Sequence, residues 1–286
     1  MKSGFKYPGA KWSYAKWITS FFPEHKVYLE PFFGSGAAFF NKKPSEYETI
    51  NDLDEMVVNF FMVCREHPEE LARILYFTPF ARKEYESVQE SKAGAPLNLT
   101  GDSIEDARRF AVRCSQGFGS KLADRCGWKN TKHSAGPINA RVWGNVPDRI
   151  YEIADRLRNA QIECCPAVKL IESYNAEDCL IYADPPYLKE TRKSRIYRKE
   201  MMEEAEHREL LEVLINHKGP VVVSGYESNL YNELLSGWHK EQKAGRANST
   251  AVRIETLWMN FEPPNNQMHL EYEQKGFFDM KEGEVI

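Results

Sequence analysis

Four residues that could perform chemistry, Asp184-Pro185-Pro186-Tyr187, directly follow an apolar run at 180–183. Consecutive prolines lack the donor N–H of a strand ladder and fix φ, so the strand ends there and Asp184 stands at the carboxyl edge of a sheet. The Asp184 carboxylate and the Pro185 carbonyl could accept both hydrogens of one amino group, while Tyr187 offers a flat ring on which a base can stack. A proline strand terminator with an incidental tyrosine is the plain alternative.

A turn with two glycines, which we call the glycine turn, follows another apolar run at 27–29. It reads Glu30-Pro31-Phe32-Phe33-Gly34-Ser35-Gly36. Glycines at a strand-to-helix turn let the backbone approach a ligand closely, and the N-terminus of the next helix favours an anionic group such as a carboxylate. The turn lacks the third glycine of the full dinucleotide-binding pattern, so a tight turn without a ligand is the alternative.

Two shorter features are less specific on their own. Asp52 ends the next apolar run, 22 residues after Glu30, near the spacing at which an acid binds ribose hydroxyls. A helix N-cap is the alternative role, and Asp54 competes for it. The N-terminal segment Lys6-Tyr7-Pro8-Gly9-Ala10-Lys11 is a turn flanked by lysines, which is usually a solvated loop.

The elements that must position these residues follow from the apolar runs. Five runs are predicted to be buried parallel strands, at 27–29, 49–50, 180–183, 221–224 and 254–258. Helical patterns lie between them, for example at 203–217 and directly behind Asp54. This alternation predicts an α/β fold with a doubly wound, Rossmann-like sheet that binds ligands at the carboxyl ends of its strands.

The alternation stops between about residues 62 and 150. Helical patterns at 69–75, 81–90 and 103–117 are followed by a stretch rich in glycine, lysine and asparagine at 117–145. We therefore predict a main domain of residues 1–61 and 151–286, into which a mostly helical domain of residues 62–150 is inserted.

Composition argues against several classes of protein. The 286 residues are 42% hydrophobic and 28% charged, and no apolar run approaches the length of a membrane span or of a signal peptide's apolar region. Six cysteines without CxxC spacing or paired histidines argue against a metal site and a disulfide framework, and for reduced thiols. We expect a cytoplasmic protein without membrane contact; the oligomeric state stays open, and a monomer is compatible with the sequence.

Charge is distributed unevenly along the chain. The net charge is -4, yet residues 107–158 carry +7 and residues 189–199 carry +5. Such clusters are typical of a surface that binds a polyanion such as nucleic acid. A solvated charged surface is the alternative for both clusters.

The four motifs occur in an order that closely resembles the Dam-like (alpha-type) DNA adenine methyltransferases, particularly the phage and prophage members. In that family a K-W-x-G-G-K segment precedes E-P-F-x-G-x-G, then N-D, an inserted target-recognition region, and D-P-P-Y. The counterparts here begin at Lys6, Glu30, Asn51 and Asp184. Similarity continues through Ser224-Gly225-Tyr226, Tyr231 and residues 255–260. The resemblance covers residues 5 to about 260.

This resemblance implies that the chain transfers the methyl group of S-adenosylmethionine to N6 of a flipped adenine in double-stranded DNA. The implied cofactor-binding residues are Tyr7, Pro8, Gly9, Lys11, Glu30, Pro31, Phe32, Gly34, Ser35, Gly36 and Asp52. The target adenine would lie against Asp184, Pro185, Pro186 and Tyr187. The inserted domain would read DNA, with Lys6, Arg125, Lys129, Lys132 and Arg141 as nucleic-acid contacts.

Some positions depart from the family pattern. Tyr7 replaces the usual tryptophan, Pro8 and Ala10 alter the turn, and Cys165-Pro166-Ala167 stands where an acidic residue often binds the cofactor's adenine. Because a proline side chain accepts no hydrogen bond, recognition there must use backbone or another residue. Methylation of cytosine at N4, or a DNA-binding protein whose catalysis has decayed, are the alternatives. The recognised site and the biological role (restriction partner, phage protection or solitary regulator) stay open.

Overall fold

The computed structural model describes residues 7, 9–89, 99–118, 126–130, 139–188, 201, 203–246 and 252–263. Its strands are β1 (Val27–Glu30), β2 (Tyr47–Asn51), β3 (Ala160–Glu163), β4 (Cys179–Ala183), β5 (Val221–Gly225), β6 (His239–Arg246) and β7 (Val252–Met259). Its helices are α1 (Ala15–Ser20), α2 (Glu55–Glu66), α3 (Pro68–Phe77), α4 (Arg82–Ser87), α5 (Ser103–Gln116), α6 (Asn139–Gly144), α7 (Val146–Leu157), α8 (Ala167–Ser173), α9 (Glu204–Ile215) and α10 (Asn229–Leu234).

The seven strands form one sheet in the order β3-β2-β1-β4-β5-β7-β6. Strands β1 to β5 are parallel to their neighbours among themselves, whereas β7 runs antiparallel to both β5 and β6. The predicted α/β fold is confirmed. The prediction that the run at 254–258 is a parallel strand is wrong, because its apolar content reports burial, and a buried strand can have either direction.

The inner strands of the sheet bury both of their faces, as a doubly wound sheet requires, whereas the edge strands β3 and β6 are partly exposed. Successive side chains point to opposite sides of a strand. One core cluster accordingly contains Tyr28, Tyr182, Val222 and Leu257, and the other contains Leu29, Ile181, Val223 and Trp258. Helices α1, α2, α3, α5 and α7 contribute to the first cluster, and α8, α9 and α10 contribute to the second.

The helices of residues 62–150 share the core of the sheet. Leu71 of α3, Phe110 of α5 and Ile150 of α7 belong to the same buried cluster as Tyr28 of β1. The numbers 62 and 150 fall within α2 and α7, so at both points the chain continues through a helix. Among the described residues, these helices therefore pack in the same core cluster as the sheet.

A buried ion cluster connects α7 to β2. Glu48 of β2 is 3% exposed and forms ion pairs with Lys42 and Arg156. Although burial alone raises the pKa of Glu48, hydrogen bonds from Arg156 and Lys42 hold it below its ordinary value. The Arg156 guanidinium also lies 3.6 Å from the centre of the Phe39 ring and donates to the Phe39 carbonyl at 3.2 Å.

Replacing Arg156 with alanine is expected to lower the free energy of unfolding by about 3 kcal/mol, because it leaves the buried Glu48 carboxylate with one cation instead of two. Arg158→Ala is the matched control: its side chain is 76% exposed and pairs with Asp155. That variant should change stability by less than about 0.5 kcal/mol. Urea denaturation at pH 7 measures both; equal losses would contradict a structural role for the buried cluster.

Candidate active site

The parallel strands bring three chemically interesting positions to one edge of the sheet. Glu30 is the last residue of β1, Asn51 is the last residue of β2, and Asp184 directly follows β4. Because β1 pairs with both β2 and β4, the carboxyl ends of the three strands are neighbours. A cavity of about 320 Å³ opens at this edge.

Most of the residues implied by the resemblance line this cavity. They are Tyr7, Gly9, Lys11, Glu30, Pro31, Phe32, Gly34, Ser35 and Asp52, together with Asp184 and Pro186. Pro185, Tyr187 and Gly36 are not among the lining residues. Lys6 and Pro8 lie outside the described residues. Asp184 and Gly34 thus open onto the same space.

Gly34 forms part of the cavity wall with its backbone. Its φ is +51°, a backbone conformation that residues other than glycine rarely adopt. A Cβ at this position would lie 3.0 Å from Cε1 of the Tyr7 ring. Its N–H donates to the Asp52 carboxylate at 2.8 Å, so the glycine turn is tied to the residue after β2.

Gly36 serves packing beneath the cavity. It has a φ of +66°, and a Cβ would lie 2.4 Å from the Phe33 ring and 2.7 Å from the Phe40 ring. Both rings belong to the core cluster under the turn. The second glycine of the turn therefore lets two aromatic side chains close against the backbone.

The two acids after β2 have different tasks. Asp54 is the N-cap of α2 and accepts a hydrogen bond from the Met56 N–H at 3.0 Å. Asp52 accepts from the N–H groups of Gly34 and Asp54, each at 2.8 Å, and lines the cavity. Burial raises the pKa of Asp52 to about 7. The capping alternative thus belongs to Asp54, and Asp52 faces the cavity.

Glu30 joins the cavity to the core. One of its carboxylate oxygens accepts from the Tyr28 hydroxyl at 2.7 Å and from the Phe39 N–H at 3.1 Å. The residue is 2% exposed, and burial raises its pKa to about 8. These bonds hold the segment after the glycine turn against β1.

Asn51 supports the segment that departs from the family pattern. Its side-chain oxygen accepts from the Cys165 N–H at 2.9 Å, and its amide donates to the carbonyls of Cys165 and Pro31 at 3.1 and 2.9 Å. Pro166, Ala167, Val168 and Lys169 line the cavity beyond this clamp. The wall at that point is therefore formed by residues 166–169, none of which is acidic.

Lys11 lies at the centre of a group that we call the Lys11 cluster, made of Lys11, Asp184, Tyr187 and Glu255. Its ammonium is 3.0 Å from an Asp184 oxygen and 3.5 Å from a Glu255 oxygen, and it donates to the Tyr187 hydroxyl. The Tyr187 hydroxyl donates to Glu255 at 2.8 Å, and its ring lies 4.4 Å from the ring of Tyr226.

Glu255 is a site residue that the motif analysis did not single out. It lies on β7 and is 3% exposed; burial raises its pKa, and the Lys11 ammonium opposes this shift. The available signal was a carboxylate beside the apolar residues Leu257, Trp258 and Met259 of a buried strand, which requires a partner. That partner is 244 residues away in the sequence.

The basic stretch at 107–158 is less positive at the surface than its composition indicates. Arg108 pairs with Glu84 and Glu105, Arg109 pairs with Glu105, and Arg156 belongs to the buried ion cluster with Glu48. Among the residues implied to contact DNA, Arg141 is exposed on α6 and Lys129 is half-buried. Arg125, Lys132 and the 189–199 run lie outside the described residues.

The part of the chain that the structure describes offers neither a membrane span nor a cluster of metal ligands. No helix in these ranges is long and apolar enough to cross a membrane. No group of three or more histidine, cysteine, aspartate or glutamate side chains in them could hold a metal ion. The cysteines are free thiols, most of them at least partly buried.

Comparison with protein families decides the assignment. The sequence profile of the D12 class N6 adenine-specific DNA methyltransferases matches residues 7–248. The chain belongs to this family. The matched span includes the glycine turn, Asp52 and Asp184, which line one cavity.

Individual relatives are more distant. A DNA adenine methylase from Haemophilus influenzae (strain ATCC 51907 / DSM 11121 / KW20 / Rd) is 24% identical over 188 residues, which cover 64% of this chain and 62% of that protein. The match therefore spans less than two thirds of that relative.

Two solved structures are only loosely similar to this chain. A precorrin 8W decarboxylase from Methanobacterium thermoautotrophicum has a TM-score of 0.41 and 7% identity, over 92% of this chain and all of that one. A SAM-dependent methyltransferase from Agrobacterium tumefaciens has a TM-score of 0.36 and 10% identity, over 87% of this chain and 61% of that one.

The raised pKa of Glu30 predicts a pH-dependent stability. A carboxyl whose folded-state pKa is about 8, above its ordinary 4.5, stabilises the fold fully below the ordinary value and loses that contribution as pH rises through about 8. Glu30→Gln keeps an oxygen acceptor for Tyr28 and Phe39 but does not ionise. Its melting temperature relative to the wild type should therefore increase between pH 5 and pH 9, by roughly 5 °C.

Thermal melts of both proteins at several pH values measure this difference. Asp52 is present in both proteins, so the difference between their melting temperatures at each pH reports the contribution of Glu30. A difference that is constant with pH would contradict the burial of an ionisable Glu30.

Proposed function

We propose that the protein transfers the methyl group of S-adenosylmethionine to N6 of adenine in double-stranded DNA. The observation that carries this proposal is that the Asp184 carboxylate and the backbone of Gly34 open onto one cavity. A methyl transfer needs its donor and its acceptor side by side, and a shared cavity at the carboxyl edge of the sheet provides that arrangement. The motif order further supports the alpha-type, phage-like subtype.

The chemistry of the cavity suits a cationic cofactor. Acidic side chains line it on several sides, namely Glu30, Asp52, Asp54, Asp184, Glu206 and Glu209. S-adenosylmethionine carries a sulfonium and an ammonium, and when bound it supplies an electrophilic methyl group. Tyr7, Gly9, Lys11 and the glycine turn would hold its methionine part, and Asp52 would accept hydrogen bonds from its ribose hydroxyls.

Asp184 and Pro185 act on the target amino group. The lone pair of an adenine amino nitrogen is delocalised into the ring, which makes the nitrogen a poor nucleophile. The Asp184 carboxylate and the Pro185 carbonyl accept its two hydrogens and favour a tetrahedral nitrogen whose lone pair is localised. As positive charge develops on this nitrogen, preorganised acceptors stabilise it. The one proton released by the reaction leaves the nitrogen towards Asp184.

The DNA must present an extruded base to this pocket. A target inside a duplex cannot reach Asp184, so the base is flipped out at a cost of a few kcal/mol, which stacking on Tyr187 offsets by roughly 1–3 kcal/mol. Residues 62–150 act as the target-recognition region. Within it, the residues that contact DNA are Arg125, Lys129, Lys132 and Arg141. Lys6 and the basic residues of the 189–199 run add further contacts to DNA. Binding through phosphates weakens steeply with salt.

Two observations weigh on the alternatives. Paired acceptors would also serve the N4 amino group of cytosine; the adenine-specific family profile favours adenine. A protein with decayed catalysis was suggested by Cys165-Pro166, but Asn51 holds this segment in place and its neighbours line the cavity. The presence of both acceptors, Asp184 and Pro185, and the cavity that Asp184 shares with Gly34 favour an active enzyme.

Modification-aware sequencing of DNA from cells that express the protein tests the proposal. The wild type is expected to leave methylated adenine in one short motif. Asp184→Ala should leave none, because the variant lacks the acceptor that localises the lone pair. Asp178→Ala is the matched control: Asp178 is exposed at the amino end of β4, the opposite edge of the sheet, and this variant should methylate as the wild type does.

The same experiment distinguishes the alternatives. Methylation at N4 of cytosine would show that the target base is cytosine and not adenine. Unchanged methylation by Asp184→Ala would refute the role of Asp184. Calorimetry with S-adenosylmethionine on Asp184→Ala verifies that the cofactor cavity is intact.

A further inference from the structure

In the Lys11 cluster, Asp184 has two partners to serve: the Lys11 ammonium and the target amino group. The Asp184 oxygen that would accept a hydrogen of the target amino group is 3.0 Å from the Lys11 ammonium. A carboxylate that already neutralises a cation is a weaker acceptor for a neutral amine. The Lys11 side chain is only 7% exposed, so its ammonium cannot leave Asp184 for bulk water without a large cost. It needs a second anion nearby.

Glu255 provides that anion. Its carboxylate is 3.5 Å from the Lys11 ammonium, and its side chain is 4% exposed. The same oxygen accepts from the Tyr187 hydroxyl at 2.8 Å. A small movement of the ammonium exchanges one carboxylate for the other without exposure to solvent. The antiparallel direction of β7 beside β5 brings this acid to the carboxyl edge of the sheet.

We propose that Glu255 is a positioning residue for methyl transfer: it receives the Lys11 ammonium when the target amino group engages Asp184, and it holds the Tyr187 ring through the hydroxyl. This inference rests on the proposed function of Asp184. Without the negative charge of Glu255, Lys11 remains on Asp184 and competes with the target base. Glu255 does not line the cavity, so its replacement leaves the residues that form the cavity wall in place.

The variant Glu255→Gln tests this role, because glutamine keeps the shape and an oxygen acceptor while it removes the charge. In single-turnover assays at saturating DNA, the rate constant for methyl transfer should fall at least tenfold. The dissociation constant for S-adenosylmethionine, from calorimetry, should stay within threefold of the wild type. Glu241→Gln on the edge strand β6, whose side chain is 40% exposed, is the matched control and should retain the wild-type rate.

A double-mutant cycle with Tyr187→Phe separates positioning from a structural role. Glu255 and the Tyr187 hydroxyl share a hydrogen bond, so their effects on the rate should not multiply. We expect the double variant to be no more than threefold slower than the slower single variant. A change in stability alone would leave the rate constant of the folded fraction unchanged.

The outcomes are distinct from those of the proposed function. A wild-type rate for Glu255→Gln, or rate losses that multiply in the double variant, would overturn the role of Glu255 while the proposed function stands. An equal loss of cofactor affinity and rate would also overturn it. No transfer by the wild type would overturn the proposed function and this inference together.

Discussion

Crowding of acids at one edge of the sheet is the constraint on which the site depends. The neighbouring parallel strands β1 and β2 end in Glu30 and Asn51, and Asp52 directly follows Asn51. Asp184 directly follows the end of β4. Burial raises the pKa of Glu30 to about 8 and of Asp52 to about 7, which means that the cavity holds negative charge only at a cost. A cation relieves that cost. Lys11 supplies one at Asp184, and the sulfonium of the proposed cofactor would supply another.

The surrounding backbone keeps these acids at fixed positions. Asp52 is held by the N–H groups of Gly34 and Asp54, and Glu30 is held by Tyr28 and Phe39. Every one of these donors is part of the glycine turn, of β1 or of the segments that follow β2 and the turn. Three of the four donors are main-chain N–H groups, so the backbone largely preorganises Asp52 and Glu30. Preorganised groups are the ones that stabilise a developing charge effectively.

Apolar runs predicted β1, β2, β4 and β5 and the edge at which they present their residues. They did not predict β3 and β6, because each is an edge strand with a polar sequence; β6 reads His-Lys-Glu-Gln-Lys-Ala-Gly-Arg. The direction of β7 was predicted wrongly, since burial does not encode direction. The antiparallel direction is what brings Glu255 to the site, so the same error hid that residue.

Local motifs located Lys11, Asp184 and Tyr187 of the Lys11 cluster, whereas only the long-range contacts of the fold located Glu255. Asp184 and Gly34 were recognised because proline and glycine constrain the backbone where they stand. Charge counts were less informative: Arg108 and Arg156 contribute to a basic stretch of sequence but pair with acids inside the fold. Ion pairs between residues far apart in the chain cannot be read from composition.

A crystal structure with bound S-adenosylhomocysteine would show whether the cofactor and Asp184 meet in this cavity. We expect the ligand to occupy the cavity between the glycine turn and residues 166–169, with ribose hydroxyls about 3 Å from Asp52 and its sulfur facing Asp184. A ligand bound elsewhere, or one whose sulfur is separated from Asp184 by the protein, would contradict this expectation.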